Sequence, residues 1–240
     1  MRRRLITLCL IWLVLMSALL PGKVASADEI QVGLLLYAAR EANGDVVTNR
    51  LLITPKMLRI EQEKAVDGYI LYDREAGVIY SVTPEERSIL VIQPQTRRVQ
   101  IPHEMRLKIE RLVDFDGPEI GDSKPQHWQL IVNNDICRNV ILAPGLMTEA
   151  LRVYQDYLTL LANQHYLSLN AIPAEYRDSC EDAIHVFAPT LLLQKGLPVR
   201  VWDRMGNQQR LLNFSDQHRV DSSLFRLPAE YKRQPMAGIE

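Results

Sequence analysis

From Ile30 to about Ile101, the chain alternates short apolar runs with turn-forming residues. Asn43-Gly44 is a strong hairpin signal between two such runs, and each later break is only three to six residues long. Connections of that length join antiparallel neighbours. The pattern therefore predicts a meander of six strands, at Ile30–Arg40, Val46–Ile53, Met57–Gln62, Tyr69–Asp73, Val78–Val82 and Ser88–Gln93.

The middle strands of this meander are apolar at successive positions. A sheet with one face in water should alternate apolar and polar residues, but Ile70-Leu71-Tyr72 and Ile89–Ile92 do not alternate. We therefore expect both faces to be covered, one by helices and the other by more protein, a partner or an apolar ligand. The candidate residues lining a ligand are Leu58, Ile60, Ile70, Tyr72, Tyr80, Val82, Leu90 and Ile92.

The second half of the chain combines helix and strand signals. Apolar residues recur every three or four positions in Leu146–Tyr166, which predicts one long helix. Residues 105–113 fit a strand or a helix equally well. Further predicted elements are strands at Trp128–Val132 and Val140–Ala143, a short helix from Ser179, a hairpin of Val199–Asp203 with Gln209–Phe214, and a tail, Leu224–Tyr231, that packs back on the body. The predicted fold is a single α+β domain, residues 28–240.

The N-terminus has the order of features found in an export signal. Three arginines precede an apolar run of 16 residues, Leu5–Leu20, and Ala25-Ser26-Ala27 forms a small-residue cleavage site. The run is shorter than the roughly 20 residues that span a bilayer. We expect cleavage after Ala27 and a mature chain that does not span the membrane; an uncleaved anchor is the alternative.

The charge of the predicted mature chain argues against nucleic acid as a partner. The whole chain has 28 basic and 29 acidic residues, and the leader holds four of the basic ones, Arg2, Arg3, Arg4 and Lys23. The mature chain then carries a formal net charge of −5, which gives little attraction to phosphate backbones. No nucleic-acid partner is expected.

Two cysteines remain after the leader, Cys137 and Cys180. One even pair in an exported chain indicates a structural disulfide. A metal or redox pair is the alternative, but neither cysteine has another at CxxC spacing. The disulfide and the leader together predict a periplasmic or secreted protein.

No catalytic or metal-binding motif stands out in the sequence. His103-Glu104 lacks the second histidine that a zinc-protease motif needs, and the carboxylates around Asp114–Asp122 do not match a calcium loop. There is no GxSxG sequence and no glycine-rich phosphate loop. The prediction is a protein that is not an enzyme, with no catalytic residues, metal or cofactor.

Several segments have the strand rhythm of a known family of exported proteins. They are Thr54–Glu61, Gly68–Asp73, Val78–Val82, Gly196–Val199 and Leu224–Pro228. Together they resemble the periplasmic lipoprotein carriers of the LolA/LolB-like fold. That resemblance implies a sheet curved into an incomplete β-barrel, with helices over its concave side and acyl chains held between sheet and helices.

Three hypotheses for function remain open at this point. The first is a periplasmic binding protein that shelters a lipid or a lipoprotein acyl chain. The second is a structural or interaction module of the cell envelope, with a protein partner and no small ligand. The third is an envelope hydrolase, for which the sequence offers no positive signal.

Overall fold

The computed structural model describes residues 28–63, 68–94, 99–169 and 171–236. The predicted leader, residues 1–27, and its cleavage site lie outside the described residues. The backbone has no cis peptide bond in the described part. None of the helices in those ranges is both long and apolar enough to cross a lipid bilayer.

Twelve strands in the described residues form one sheet, in the order β12-β6-β5-β4-β3-β2-β1-β11-β10-β9-β8-β7. Every neighbouring pair is antiparallel except β12 and β6, which run parallel. The two ends of the sheet, β12 and β7, do not pair with each other, so the sheet is not closed into a barrel. The strands are β1 Glu29–Arg40, β2 Val47–Ile53, β3 Met57–Gln62, β4 Tyr69–Asp73, β5 Val78–Thr83, β6 Ser88–Ile92, β7 Leu107–Leu112, β8 Gln126–Val132, β9 Asp135–Ala143, β10 Leu197–Asp203, β11 Gln208–Asp221 and β12 Lys232–Pro235.

The helical residues lie mainly between β9 and β10. The long helix α1 is Thr148–Leu169, and the short helix α2 is Ser179–Asp182. Asp178 caps α2 by accepting hydrogen bonds from the backbone N–H groups of Cys180 and Glu181. Ala183–Phe187 continues α2 with π-helical hydrogen bonds, and 3-10 turns occupy Ala174–Tyr176, Leu193–Lys195 and Ser222–Phe225.

The α+β class is therefore confirmed, and the six-strand meander is present as β1–β6. Of the ambiguous residues 105–113, Leu107–Leu112 form strand β7. The parallel pair β6–β12 was not predicted and makes the sheet mixed rather than wholly antiparallel. Strand β11 runs seven residues beyond its predicted end at Phe214, because its second half pairs with the start of β1.

Helix α1 covers one face of the sheet. Its buried residues Leu151, Val153 and Tyr157 share a core cluster with Leu35 of β1 and Leu58 of β3. The helix approaches β1 closely at Gly33, where a Cβ atom would lie 3.3 Å from the Cβ of Ala150. This close approach fixes the N-terminal end of α1 against the middle of the sheet.

The C-terminal tail covers the other face of the meander. Leu224 and Phe225 pack against Leu34 and Leu52, and the chain then crosses β4 and β5 to reach the outer edge of β6. The prediction that both faces of the middle strands are covered is confirmed, and the second cover is the chain itself.

A charged cluster lies where the tail crosses β3. Glu61 accepts hydrogen bonds from Arg50 Nε at 2.9 Å and from Arg59 Nε at 2.7 Å. Arg59 also donates to the carbonyl oxygen of Leu224 at 2.8 Å and stacks over the ring of Tyr69. Burial alone would raise the pKa of Glu61, but the hydrogen bonds from the two arginines outweigh it and hold the pKa below its ordinary value.

This cluster predicts a pH-dependent stability. A lowered folded-state pKa contributes stability above the unfolded-state value of about 4.3, and that contribution is lost as the pH falls through the folded-state value. Glu61→Gln should therefore lower the free energy of unfolding at pH 7 by about 2 kcal/mol. The difference between wild type and variant should shrink below about pH 4, as measured by urea denaturation across the acid range.

Glu75→Gln is the matched control, because Glu75 pairs with Lys56 at 2.8 Å and both side chains are exposed. Exposed pairs contribute little to stability, so the control should match wild type at every pH. A Glu61→Gln penalty that stays constant throughout the acid range would contradict this assignment.

Candidate functional site

A cavity of about 650 Å³ lies between the sheet and the helical layer. Its sheet side is formed by β1–β3 and β8–β11, and its helical side by α1 and residues 184–193. The inner lining includes Val140, Tyr154, Leu158, Ile184 and Leu193. This volume falls within the range of about 300–1,000 Å³ found for small-molecule sites.

The cavity opens at the tips of two hairpins. The β1–β2 turn contributes the exposed residues Glu41 and Asp45, and the β10–β11 turn contributes Asn207. The two turns touch, since the side chain of Asn207 accepts a hydrogen bond from the backbone N–H of Ala42 at 3.2 Å. Polar groups and charges of both signs, including the exposed Arg40 at the end of β1, therefore surround the opening.

Residues 183–193, here called the wall segment, separate this cavity from a second one. The second cavity has a volume of about 350 Å³ and a mostly apolar lining that includes Ile101, Leu107 and Phe187. Ala188 and Pro189 line both cavities. The wall segment is therefore a thin partition, and Pro189 lacks the N–H group that a continuous helix would need there.

A disulfide between Cys137 and Cys180 ties strand β9 to the helical layer. Both cysteines are buried, with Cα atoms 5.2 Å apart, and Cys180 lies three residues before the wall segment. The predicted pairing is therefore present. A disulfide is typical of an oxidising, extracytoplasmic environment.

Arg138, the residue after Cys137, lines the large cavity. Its Nε is buried and has no hydrogen-bond partner, and no described carboxylate forms an ion pair with its guanidinium. Burial lowers the pKa of Arg138, while Asp203 and Glu181 nearby oppose that shift. The acids have other partners: Asp203 accepts from Asn207 at 2.8 Å, and Glu181 contacts His185 at 3.2 Å.

Two tyrosines complete the polar lining on the helix and sheet sides. The Tyr37 hydroxyl donates to the carbonyl oxygen of Pro198 at 3.0 Å. Burial raises the pKa of Tyr37 and that of Tyr154, and at Tyr154 the nearby positive charge of Arg138 opposes this. Both phenols are therefore protonated at neutral pH, and Tyr154 and Arg138 line the same cavity.

The structure places the eight residues predicted to line a ligand away from both described cavities. Six of them share the face under α1, where Leu58, Tyr72 and Ile92 are buried in the main core. Tyr80 and Val82 lie on the opposite face, beneath the tail. The remaining residues on the α1 face are Ile60, Ile70 and Leu90, and Leu90 is 36% exposed.

The cavity is built from residues that the sequence pattern did not single out. Arg138, Val140 and Leu142 have the same parity on β9, and both Val140 and Leu142 are buried. The signal in the sequence was a charged residue, Arg138, on the same side of the strand as two apolar residues that are buried. Because the predicted strand begins at Val140, the prediction did not place Arg138 on the strand with these residues.

Comparisons with known proteins do not assign a family. No protein-family model and no curated protein matches the chain. Among solved structures, it is similar to an uncharacterized conserved protein from Thermus thermophilus, with 10% identity and a TM-score of 0.39 over 86% of this chain and 91% of that one. It is also similar to PNGF-II in two crystal forms, with 8% identity, TM-scores of 0.43 and 0.41, and 86% of this chain covered.

The chain spans about a third of the PNGF-II chain, with 31% and 32% covered in the two crystal forms. All three TM-scores are below about 0.5, so these similarities carry no argument about function. The side chains also give no positive sign of metal chemistry, since no group of three His, Cys, Asp or Glu residues within the described ranges is placed to hold a metal ion.

Proposed function

We propose that this protein is an exported, periplasmic binding protein that shelters a lipid or acyl chain and catalyses no reaction. The observation that carries the proposal is the cavity of about 650 Å³ between the sheet and the helical layer. Its inner lining of Val140, Leu158 and Leu193 suits a hydrocarbon chain, since burial of apolar surface supplies most of the affinity for such ligands.

The arrangement of sheet and helices agrees with the proposed resemblance to lipoprotein carriers. In this proposal the open sheet is an incomplete, curved barrel, and α1 with the wall segment covers its concave side. The ligand lies farther from the middle strands than the sequence pattern predicted, because the core under α1 is already filled there.

The surface around the opening supports transfer of an apolar ligand. Val46 and Met205 are 63% and 60% exposed, and they belong to the two hairpins whose turns contact each other. Exposed apolar side chains near a cavity opening favour contact with a lipid surface or a donor protein. An envelope interaction module without a ligand is less favoured, because the tail already covers the second face of the sheet.

The proposal predicts that blocking the cavity abolishes binding of an apolar probe. Leu158 projects from α1 into the cavity, so Leu158→Trp should weaken binding of N-phenyl-1-naphthylamine by about tenfold or more, as followed by fluorescence titration. Val201→Phe, on the sheet side of the same cavity, should have the same effect.

Arg152→Trp is the matched control, because Arg152 is on the same helix but exposed. It should bind the probe as wild type does. Circular dichroism checks that each variant is folded. A wild-type protein that binds no probe, and carries no lipid when gently purified and weighed by native mass spectrometry, would refute the proposal.

A further inference from the structure

The side chain of Arg138 is half-buried, and its buried Nε has no partner that the fold supplies. Nearly all buried polar groups in proteins have a hydrogen-bond partner, and an unpartnered buried charge is costly. In the described part of the chain, Arg138 Nε has no partner, although the side chain borders a cavity large enough for a ligand. A group held at such a cost inside a cavity is a candidate for ligand recognition.

The two carboxylates that lie near Arg138 already have other contacts. The carboxylate of Asp203 holds its own turn through the backbone N–H groups of Met205 and Asn207, at 2.9 and 3.0 Å. Glu181 pairs with His185. An anion from outside the chain is therefore the complement that the site lacks.

We infer that the cavity binds an amphiphile with one carboxylate, such as a long-chain fatty acid, and that Arg138 holds the carboxylate. This inference rests on the proposed function and names its ligand class. A guanidinium offers two parallel N–H donors that match the two oxygens of a carboxylate. The protonated hydroxyl of Tyr154, in the same cavity, supplies a further donor.

The order of residues along β9 sets the direction of the ligand. Arg138 pairs in register with Asp203 at the turn end of β10, and Ala143 pairs with Leu197 at the other end. The carboxylate is therefore held toward the opening, and the hydrocarbon chain extends past Val140 toward Leu193. An amphiphile that entered tail first would need no rotation inside the cavity.

The local charge favours a carboxylate over a phosphate monoester. One guanidinium balances one negative charge on the ligand. A second negative charge would be repelled by the nearby carboxylates of Asp203 and Glu181. The acidic residues Glu41 and Asp45 at the opening also disfavour a second negative charge, and the exposed Arg40 beside them offsets part of that effect. A phosphate headgroup, which carries close to two charges at neutral pH, should bind less well.

The test compares oleate, methyl oleate and 1-oleoyl lysophosphatidate as competitors of N-phenyl-1-naphthylamine on the mature chain. Wild type should bind oleate at least about tenfold more tightly than methyl oleate, because a charge-assisted hydrogen bond is worth about 1.5–3 kcal/mol. Lysophosphatidate should bind less tightly than oleate. Arg138→Met should lose the preference for oleate and leave methyl oleate within about twofold of its wild-type affinity.

Arg210→Met is the matched control, because Arg210 is exposed and alternates with the cavity residue Gln209 on β11. It should keep the preference for oleate. Arg138→Lys should keep part of it, since a single point charge replaces the two-pronged donor.

The Tm of the ligand-free protein gives a second measurement, which distinguishes a ligand-binding arginine from one that stabilises the fold. Replacement of a half-buried arginine whose Nε has no hydrogen-bond partner by an apolar side chain of similar length should leave the Tm of Arg138→Met unchanged or raise it. A marked fall in Tm would show that Arg138 has a structural partner and would overturn the inference.

The outcomes separate this inference from the proposed function. Equal binding of oleate and methyl oleate by wild type, or a preference that survives in Arg138→Met, overturns the role of Arg138 but leaves the apolar binding function in place. Tighter binding of lysophosphatidate than oleate overturns the carboxylate. Binding of none of the three competitors, with no binding of the naphthylamine, overturns both.

Discussion

A chain that ends at Phe225 should lose most of its stability. The missing residues include the segment that crosses β4 and β5 and the strand β12 that pairs with β6. Their loss exposes the tail side of the meander, where Leu71, Val82 and Ile89 are 1%, 2% and 0% exposed. Exposure of a large aliphatic side chain costs about 1.5–3 kcal/mol, so exposing all of these would cost about 5 kcal/mol or more.

That loss is comparable with the whole stability of an ordinary domain, about 5–15 kcal/mol. We expect the truncated chain to melt about 10 °C or more below wild type, or to fold incompletely. Thermal unfolding followed by circular dichroism measures the first effect, and binding of a hydrophobic dye measures newly exposed apolar surface.

A chain that ends at Met236 is the control, because it keeps the tail crossing and β12 and lacks only residues 237–240. Its melting temperature should equal that of wild type. If the shorter chain also unfolded at the wild-type temperature, the tail would not be the cover of the second face, and a partner or ligand on that face would again be required.

The meander was predictable because its signals are local. Strand β3 and strand β4 have the predicted bounds, and each break between strands contains residues whose backbone preferences favour a turn. The two-sided apolar pattern of Ile70–Tyr72 also indicated correctly that something covers each face. That reasoning needed only the alternation of side chains along a strand.

The pairing of distant strands was not predictable in the same way. Strand β1 pairs with β11, which lies more than 160 residues later, and β6 pairs with β12 in parallel. Nothing in the local pattern of Lys232–Pro235 marks an edge strand, because all four residues are exposed. The pairing of such distant strands depends on the tertiary packing of the whole chain.

The position of the cavity was missed for a different reason. The predicted lining residues were chosen because they are apolar on both sides of a strand, and that property marks a filled core as well as a binding surface. Leu58 illustrates this, since it is fully buried against α1. The more informative residue was Arg138, a charge on the inward parity of β9, because a buried charge needs a complement.

Removal of the disulfide should destabilise the protein and loosen the cavity together. The bond closes a loop with a sequence separation of 43 residues between Cys137 and Cys180. On the chain-entropy model, a loop of this length contributes about 4 kcal/mol. The double variant Cys137→Ala/Cys180→Ala should therefore require much less urea to unfold than the oxidised wild type. The slope of its denaturation curve should be no smaller, because the unfolded chain without the cross-link exposes at least as much surface.

The wild type in the presence of dithiothreitol is a test of the same bond without substitution. It should unfold at close to the urea concentration of the double variant, and dithiothreitol should not change the double variant at all. A reductant effect on the double variant would indicate a cause other than this bond.

The disulfide also lies next to both sides of the large cavity. Cys137 precedes Arg138, and Cys180 anchors the start of the wall segment, so the bond holds the two sides of the cavity at a fixed separation. Under conditions where the double variant remains folded, its affinity for N-phenyl-1-naphthylamine should fall. Without the bond the wall segment is mobile, and the conformational entropy lost when binding orders it reduces the affinity. Unchanged affinity with lowered stability would mean that the wall segment is held by its own packing, through Ile184 and Leu193, rather than by the bond.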